Sequence, residues 1–219
     1  LSFSYLCFMA KYLNYRYIFP PRPKNAIPDT ELGFWDNGSL IAQPKLNGSN
    51  CVIFTNGEKT IVMNRHNQRL TNFNLSDNEI KDIYRGEGWM ILNGEYMNKS
   101  KSDENNQVFN HKFVIFDILG YNGDYLVGKT FEERIILLDE LYGQIDSDKE
   151  YLFKVTENVY RVKSYLVDFK GIFDKLSPID MIEGLVMKRK NARLELGTSE
   201  NNNTKSQLKC RKATKNYKY

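Results

Sequence analysis

The sequence predicts an α+β domain whose sheets are mostly antiparallel and flanked by helices. Three observations lead there. Short apolar runs of strand length, bounded by Gly, Asn or Pro, recur along the chain and outnumber the helical windows. The helical windows are few, and the first carries a capping signal of its own. With 219 residues, 41% hydrophobic and 26% charged, the chain is long enough to bury a core without disulfide or zinc staples. No linker or internal repeat divides it, so residues 1–35 read as an extended lead-in that is part of the same domain as 36–219.

The lead-in is rich in Tyr, Phe and Pro, and Pro20, Pro21, Pro23 and Pro28 argue against a helix there. Leu40–Lys45, Asn50–Thr55 and Thr60–Asn64 read as strands, the last two joined by the Asn56-Gly57 hairpin turn. Leu75–Tyr84 reads as a helix, with Ser76 as N-cap and Glu79 three residues on. Trp89–Met97 and Lys112–Leu119 are apolar enough for buried strands. Phe131–Tyr142 has apolar residues at helical spacing. Tyr151–Val155 reads as a strand, Val162–Leu176 as a helix, and Gly184–Arg189 and Gln207–Arg211 as strands. The polar patches Lys99–Gln107 and Thr198–Ser206 are expected as surface loops.

Composition excludes several classes. No apolar run approaches the ~18–20 residues of a membrane-spanning helix. Leu1–Ala10 is apolar but lacks the basic flank and full apolar core of a signal peptide. Cys7, Cys51 and Cys210 form neither a disulfide framework nor a zinc motif, and a cytoplasmic monomer is expected. The balance of 31 basic and 27 acidic residues is mild, but its distribution is not. After Met187 the cations are Lys188, Arg189, Lys190, Arg193, Lys205, Lys209, Arg211, Lys212, Lys215 and Lys218, against Glu195 and Glu200 alone. That asymmetry suits a polyanion such as nucleic acid, although charge alone fits a solvated face equally well.

Gly123-Asp-Tyr-Leu-Val-Gly128-Lys129-Thr130 matches the phosphate-loop pattern GxxxxGK[ST]. Its interior argues against that role: Tyr125, Leu126 and Val127 would crowd a phosphate-wrapping backbone, and Asp124 would repel the phosphate. Asn122-Gly123 is also a hairpin turn in its own right.

A second constellation is dispersed. Lys45 ends an apolar strand just before a glycine turn, where a lysine can be desolvated and held as a nucleophile. Arg65 follows a strand, and Glu95 ends the run from Trp89. Phe116-Asp117 sets an aromatic beside an acid. Glu183 and Lys188 bracket a strand, on opposite faces unless the strand end bends. Lys209 and Arg211 share one face at spacing two. Each alone has an ordinary reading as a solvated charge or core aromatic. Six in this order do not.

In that order they resemble the nucleotidyltransferase domain of the covalent nucleotidyltransferases: ATP-dependent DNA and RNA ligases and mRNA capping enzymes. The family pattern of KxxG, an arginine segment, an acid segment, an aromatic–Asp segment, EGxxxK and a KxK-like strand falls on Lys45–Gly48, Arg65, Glu95, Phe116-Asp117, Glu183–Lys188 and Lys209–Arg211. The match runs from about Gln43 to Lys212. The resemblance implies an ATP-grasp-like domain of mostly antiparallel sheets, with no OB domain in the chain. Lys45-Leu-Asn-Gly-Ser-Asn50 is similar to the KxxGTN-like string of RNA ligases of the RNA ligase 2 class, and Asn93-Gly-Glu-Tyr96 also suits RNA ligases. Pro44 and the stretch Phe116–Glu133 are more like DNA ligases. Asn47 stands where the family usually has Asp.

The resemblance implies ATP and Mg²⁺ as cofactors and nucleic acid, RNA before DNA, as partner. Lys45 would carry AMP as a phosphoramidate. Lys188, Lys209 and Arg211 would favour the neutral amine and stabilise phosphoryl charge. Phe116 would stack on adenine, Arg65 and Glu95 would hold ribose and phosphate, and Glu183 would bind the metal or orient the lysine. Asn50 would place a donor near phosphate, and Gln43 completes the nucleotide-binding set. DNA ligase, capping guanylyltransferase, P-loop NTPase and an inactive nucleic-acid-binding module stand as alternatives.

Overall fold

The computed structural model describes residues 16–197, 202 and 204–213. The lead-in before Arg16 and parts of the 198–206 patch lie outside the described residues. Among the described residues eleven strands run β1 (Asn25–Ile27), β2 (Leu40–Leu46), β3 (Ser49–Thr55), β4 (Thr60–Asn64), β5 (Met90–Met97), β6 (Lys112–Tyr121), β7 (Asp124–Tyr125), β8 (Leu152–Lys154), β9 (Val159–Val162), β10 (Ile182–Arg189) and β11 (Gln207–Arg211). The same described residues hold four α-helices: α1 (Leu32–Trp35), α2 (Asp77–Ile83), α3 (Phe131–Tyr142) and α4 (Phe169–Leu176).

The strands form two sheets. The smaller has the order β1-β11-β10-β2; the larger has the order β4-β3-β5-β6-β9-β8, with β7 hairpinned onto β6. Among the described residues only the pairs β1–β11 and β6–β9 are parallel. Strand alternation buries the centre of the larger sheet on both faces. Cys51, Ile53, Leu92, Phe113 and Ile115 pack against α2 and α3. Val52, Phe54, Ile91 and Leu119 turn the other way, toward Ile18 and Leu194. A third cluster joins the smaller sheet, through Ala42, Leu185, Met187 and Cys210, to α4 and to Val114.

The local chemistry explains most boundaries. Ser76 caps α2 and Glu79 returns the bond, as the Ser-x-x-Glu spacing predicts. Thr130 and Glu133 make the same capping box on α3. That box accounts for the phosphate-loop look-alike. The Thr130 hydroxyl accepts from Glu133 N at 3.2 Å, Lys129 pairs with Glu133 at 3.0 Å, and Asn122-Gly123 turns an antiparallel hairpin. Pro44 sits on an edge strand. The outward edge of β2 meets Tyr165 only through Ala42, so the missing proline donor breaks no ladder bond.

Four expectations are corrected. The lead-in is not extended throughout: beyond Pro28, Asp29–Glu31 makes a 3₁₀ turn and Leu32–Trp35 a helical turn, driven by complete burial of Leu32. The helix expected over 162–176 begins only at Phe169, because Val159–Val162 pairs with β6 and β8 as a strand and Asp168, in the left-handed region, caps the helix through Gly171 N. Asp103, in the first polar patch, is buried against Lys149 at 2.7 Å. Asn202, in the second, is buried and donates to Phe19 O at 2.7 Å.

Behind the larger sheet Asp117 and Arg134 form a buried bidentate pair, at 2.8 and 2.9 Å. The Lys188 ammonium lies near both, stacked 4.6 Å from the Phe131 ring centroid and 4.7 Å from that of Phe116. Removing one member of a buried pair strands the other. Asp117→Asn leaves Arg134 and Lys188 as neighbouring buried cations, and a loss of about 3–5 kcal/mol is expected. Arg134→Gln leaves Asp117 facing Lys188 and is expected to cost less. Urea denaturation of the two variants measures the difference, and equal losses would contradict this account.

Candidate active site

Register alone gathers most of the site. On the smaller sheet Lys45 pairs with Gly184 and Gly184 with Arg211; Gln43 pairs with Val186 and Val186 with Lys209; Lys188 pairs with Gln207. Paired residues share a face, so Gln43, Lys45, Val186, Lys188, Gln207, Lys209 and Arg211 stand on one side. Across from them the larger sheet contributes Asn50, paired with Glu95, and Phe116 two residues beyond Val114, the partner of Glu95. A cavity of about 800 Å³ lies between.

Glu183 reaches the same cavity because the strand does bend. The β10–β2 register shifts between Ile182 and Gly184, and Gly184 takes φ +141°. A Cβ at Gly184 would lie 2.0 Å from Cys210 O, so only glycine lets β11 approach this closely. The bulge turns Glu183 toward Lys45, and the Lys45 Nζ donates to Glu183 Oε2. Arg211 Nε lies 3.6 Å from the same carboxylate oxygen. The side chains of Lys45 and Glu183 keep 19% and 25% exposure, enough to meet a ligand.

Gly48 closes the turn from β2 to β3 and joins the two sheets. A Cβ there would fall 2.4 Å from Tyr96 O and 2.9 Å from Glu95 Cγ. Gly48 N instead donates to Glu95 Oε1 at 3.0 Å. This contact is the structural reason for a glycine three residues after Lys45. Burial pushes the Glu95 carboxyl up to about 7, with Glu183 adding to the rise and Lys45 opposing it.

The remaining polar groups are held firmly. Gln43 is engaged at both ends of its amide: Oε1 accepts from Lys188 Nζ at 2.7 Å, and Nε2 donates to Ser164 Oγ at 3.1 Å. Burial pulls the Lys188 ammonium down to about 8; Asp117 resists this and Arg134 adds to it. Lys209 is lowered by burial and then by Arg211, Lys45, Arg22 and Arg65. Asn50 Nδ2, expected to face a phosphate, donates to Asn93 Oδ1 at 3.0 Å and Gly94 O at 3.3 Å. Arg65 is exposed beyond the end of β4, its Nε 3.1 Å from His66 Nε2.

All ten residues singled out in the sequence therefore line one cavity: Gln43, Lys45, Asn50, Arg65, Glu95, Phe116, Glu183, Lys188, Lys209 and Arg211. Among the described residues eight Lys and Arg side chains line it, counting Arg22, Lys24 and Lys99, against two carboxylates, Glu95 and Glu183. Such a field suits a polyphosphate. Among the described residues no group of three or more His, Cys, Asp or Glu converges on a metal position.

No protein-family model and no curated protein matches the sequence. Solved structures do match the fold. A mycobacterial DNA ligase D complexed with ATP and MES superposes with TM-score 0.58 at 16% identity, over 90% of this chain and 62% of that one. The ligase domain of LigD from M. tuberculosis gives 0.59 at 15% identity, over 86% of this chain and 58% of that one. The fold is that of the ATP-dependent ligase nucleotidyltransferase domains. An archaeal ATP-dependent RNA ligase shares it, with TM-score 0.51 at 15% identity, over 88% of this chain and 48% of that one. The chain thus spans about three-fifths of the first two ligase structures.

Sequence reasoning missed Pro20–Lys24, Lys99, Val186 and Gln207 as cavity residues. Val186 and Gln207 were within reach of it: each lies two positions before an assigned lysine on its strand, hence on the same face. The proline segment was not, since its place depends on the parallel pairing of β1 with β11.

Glu95 also sets a pH dependence. Its folded value of about 7 lies above the ordinary 4.5, so the folded state keeps a proton that the unfolded chain releases between these values. The resulting stability is complete below pH 4.5 and is lost as pH rises through 7. Glu95→Gln keeps an acceptor for Gly48 N and removes the titration. Relative to wild type, the ligand-free variant is expected to gain about 2–3 kcal/mol between pH 4.5 and pH 8. Denaturation at the two pH values measures this, and a constant difference would count against it.

Proposed function

We propose that this chain is the adenylation unit of an ATP-dependent polynucleotide ligase that joins 5′-phosphate and 3′-hydroxyl ends, with RNA as the preferred strand. One observation carries the reading. The six dispersed sequence elements converge on a single cation-rich cavity, with Lys45 at its acidic end bonded to Glu183.

In this reading Lys45 Nζ attacks the α-phosphorus of ATP. An N–P bond forms, the bond to the bridging oxygen breaks, and pyrophosphate leaves. The amine's proton passes to Glu183, its hydrogen-bond partner. Lys209, Arg211 and Arg65 stabilise the charge that grows on the phosphoryl oxygens. AMP then moves from Lys45 to the 5′-phosphate of the nucleic acid. The 3′-hydroxyl attacks that activated phosphate and releases AMP. Phe116 offers an aromatic face to the base.

The donor set fits Mg²⁺ that arrives with the nucleotide. With Glu183 as the carboxylate at Lys45, most of the coordination would come from phosphates and water, which is usual for this ion. Bound there, it would neutralise phosphate charge. The preference for RNA rests on the Lys45–Asn50 string, and discrimination would come through strand 2′-hydroxyls.

Incubation with Mg²⁺ and α-labelled ATP, followed by denaturation, is expected to leave label on wild type and on Lys129→Ala and none on Lys45→Ala. Intact mass separates an unreactive chain from one already carrying AMP. Label that depends on Lys129 and survives loss of Lys45 would return the chain to the P-loop reading. Sealing of matched nicked duplexes is expected to be faster with RNA than with DNA at the nick, by about tenfold or more if one hydroxyl contact decides it. Equal or reversed rates would replace the RNA assignment with a DNA ligase.

A further inference from the structure

The Gln207 side chain buries an amide oxygen that no group among the described residues satisfies. It opens β11, is 4% exposed and lines the cavity, yet its Oε1 is enclosed and accepts no hydrogen bond. A buried amide acceptor left empty costs free energy, and such groups are normally satisfied. The neighbouring amide of Gln43 shows the contrast, since it is occupied at both ends.

Position narrows the partner. Along the shared face of β10 and β11, the row of Gly184 and Arg211 lies beside Lys45, and the row of Lys188 and Gln207 lies four residues away, ~13 Å at strand rise. The first row holds the Lys45–Glu183 pair. The second holds Lys188, whose ammonium sits over the Phe116 ring. One end thus gathers groups suited to phosphoryl chemistry, and the other has an aromatic ring and an amide oxygen without a partner among the described residues. A nucleotide lying along the face sets its phosphate at the first and its base at the second.

We infer that Gln207 reads the nucleobase and selects adenine over guanine, a reading that rests on the proposal that this cavity takes a nucleotide. A carboxamide carries an acceptor and a donor side by side. Adenine presents the complementary pair on one edge, the N6 amine and N7, and Gln meets it with two bonds. Guanine presents O6 and N7, both acceptors, and leaves the Gln207 acceptor empty. The terminal torsion of glutamine is broad, so the amide can turn to meet the base edge. Gln43 cannot serve in its place without giving up Lys188 and Ser164.

The test compares wild type with Gln207→Ala, using calorimetric binding and covalent labelling with ATP, GTP and purine riboside triphosphate, which lacks the 6-amino group. For wild type, ATP is expected to exceed both others by about 10- to 100-fold. In Gln207→Ala the ATP advantage is expected to collapse toward unity, through loss of ATP affinity with GTP little changed. A variant that weakens ATP and GTP alike, or keeps the wild-type ratio, would overturn the inference. Should the variant fail to fold, wild type still decides: equal affinity for ATP and purine riboside triphosphate overturns it. Binding of ATP over GTP without covalent label would sink the lysine chemistry while leaving Gln207 in place. Binding of neither nucleotide would sink both.

Discussion

The site depends on one close approach between strands. At Gly184 the β11 backbone comes so near that no side chain fits, and the register slips there by a residue. Without that slip, strict alternation would send Glu183 away from Lys188 and away from Lys45. With it, one strand delivers both an acid and a base to the same cavity. Gly48 does the same for the joint between sheets. It lets β3 leave β2 within contact of β5 and lends its N–H to Glu95. Two positions without a Cβ thus hold the lysine, both carboxylates and the facing sheet in a fixed relation.

Electrostatics on the two sides of the larger sheet follow different rules. Behind it, Asp117 and Arg134 neutralise each other in a bidentate pair. In front, Lys45 and Arg211 both approach Glu183, and the described lining sets eight cations against two carboxylates. Lys188 stands between the two regions. Its ammonium touches the Phe116 and Phe131 rings and the Gln43 amide, and feels Asp117 from behind. It therefore links the buried pair to the cavity side.

Much of this was legible in the sequence. The Ser76–Glu79 box, the Asn56-Gly57 turn and the apolar runs that became β3, β5, β6 and β10 are local signals, and local signals survive folding. The candidate residues were legible because their order is distinctive, and strand parity puts them on common faces. What escaped was non-local. Parallel pairing of β9 with β6 took residues that helix periodicity had claimed, and parallel pairing of β1 with β11 drew the proline segment to the cavity. Glu183 was the undecided case: alternation separated it from Lys188, and only the strand bend resolved it. The Lys129-Thr130 pattern shows the converse, a distinctive string whose local chemistry is an ordinary helix cap.

The crowd of cations in the cavity has a kinetic side as well. On the proposed reading, a field dense enough to draw a triphosphate inward would also hold its fragments after cleavage. Ionic strength acts on both ends of the cycle: it screens the approach of the anion and loosens the grip on the departing one. On that reading capture would limit at high salt and release at low salt, so turnover would have an optimum between them. The proposed chemistry would then answer to the ionic composition around the cavity as much as to its ligand.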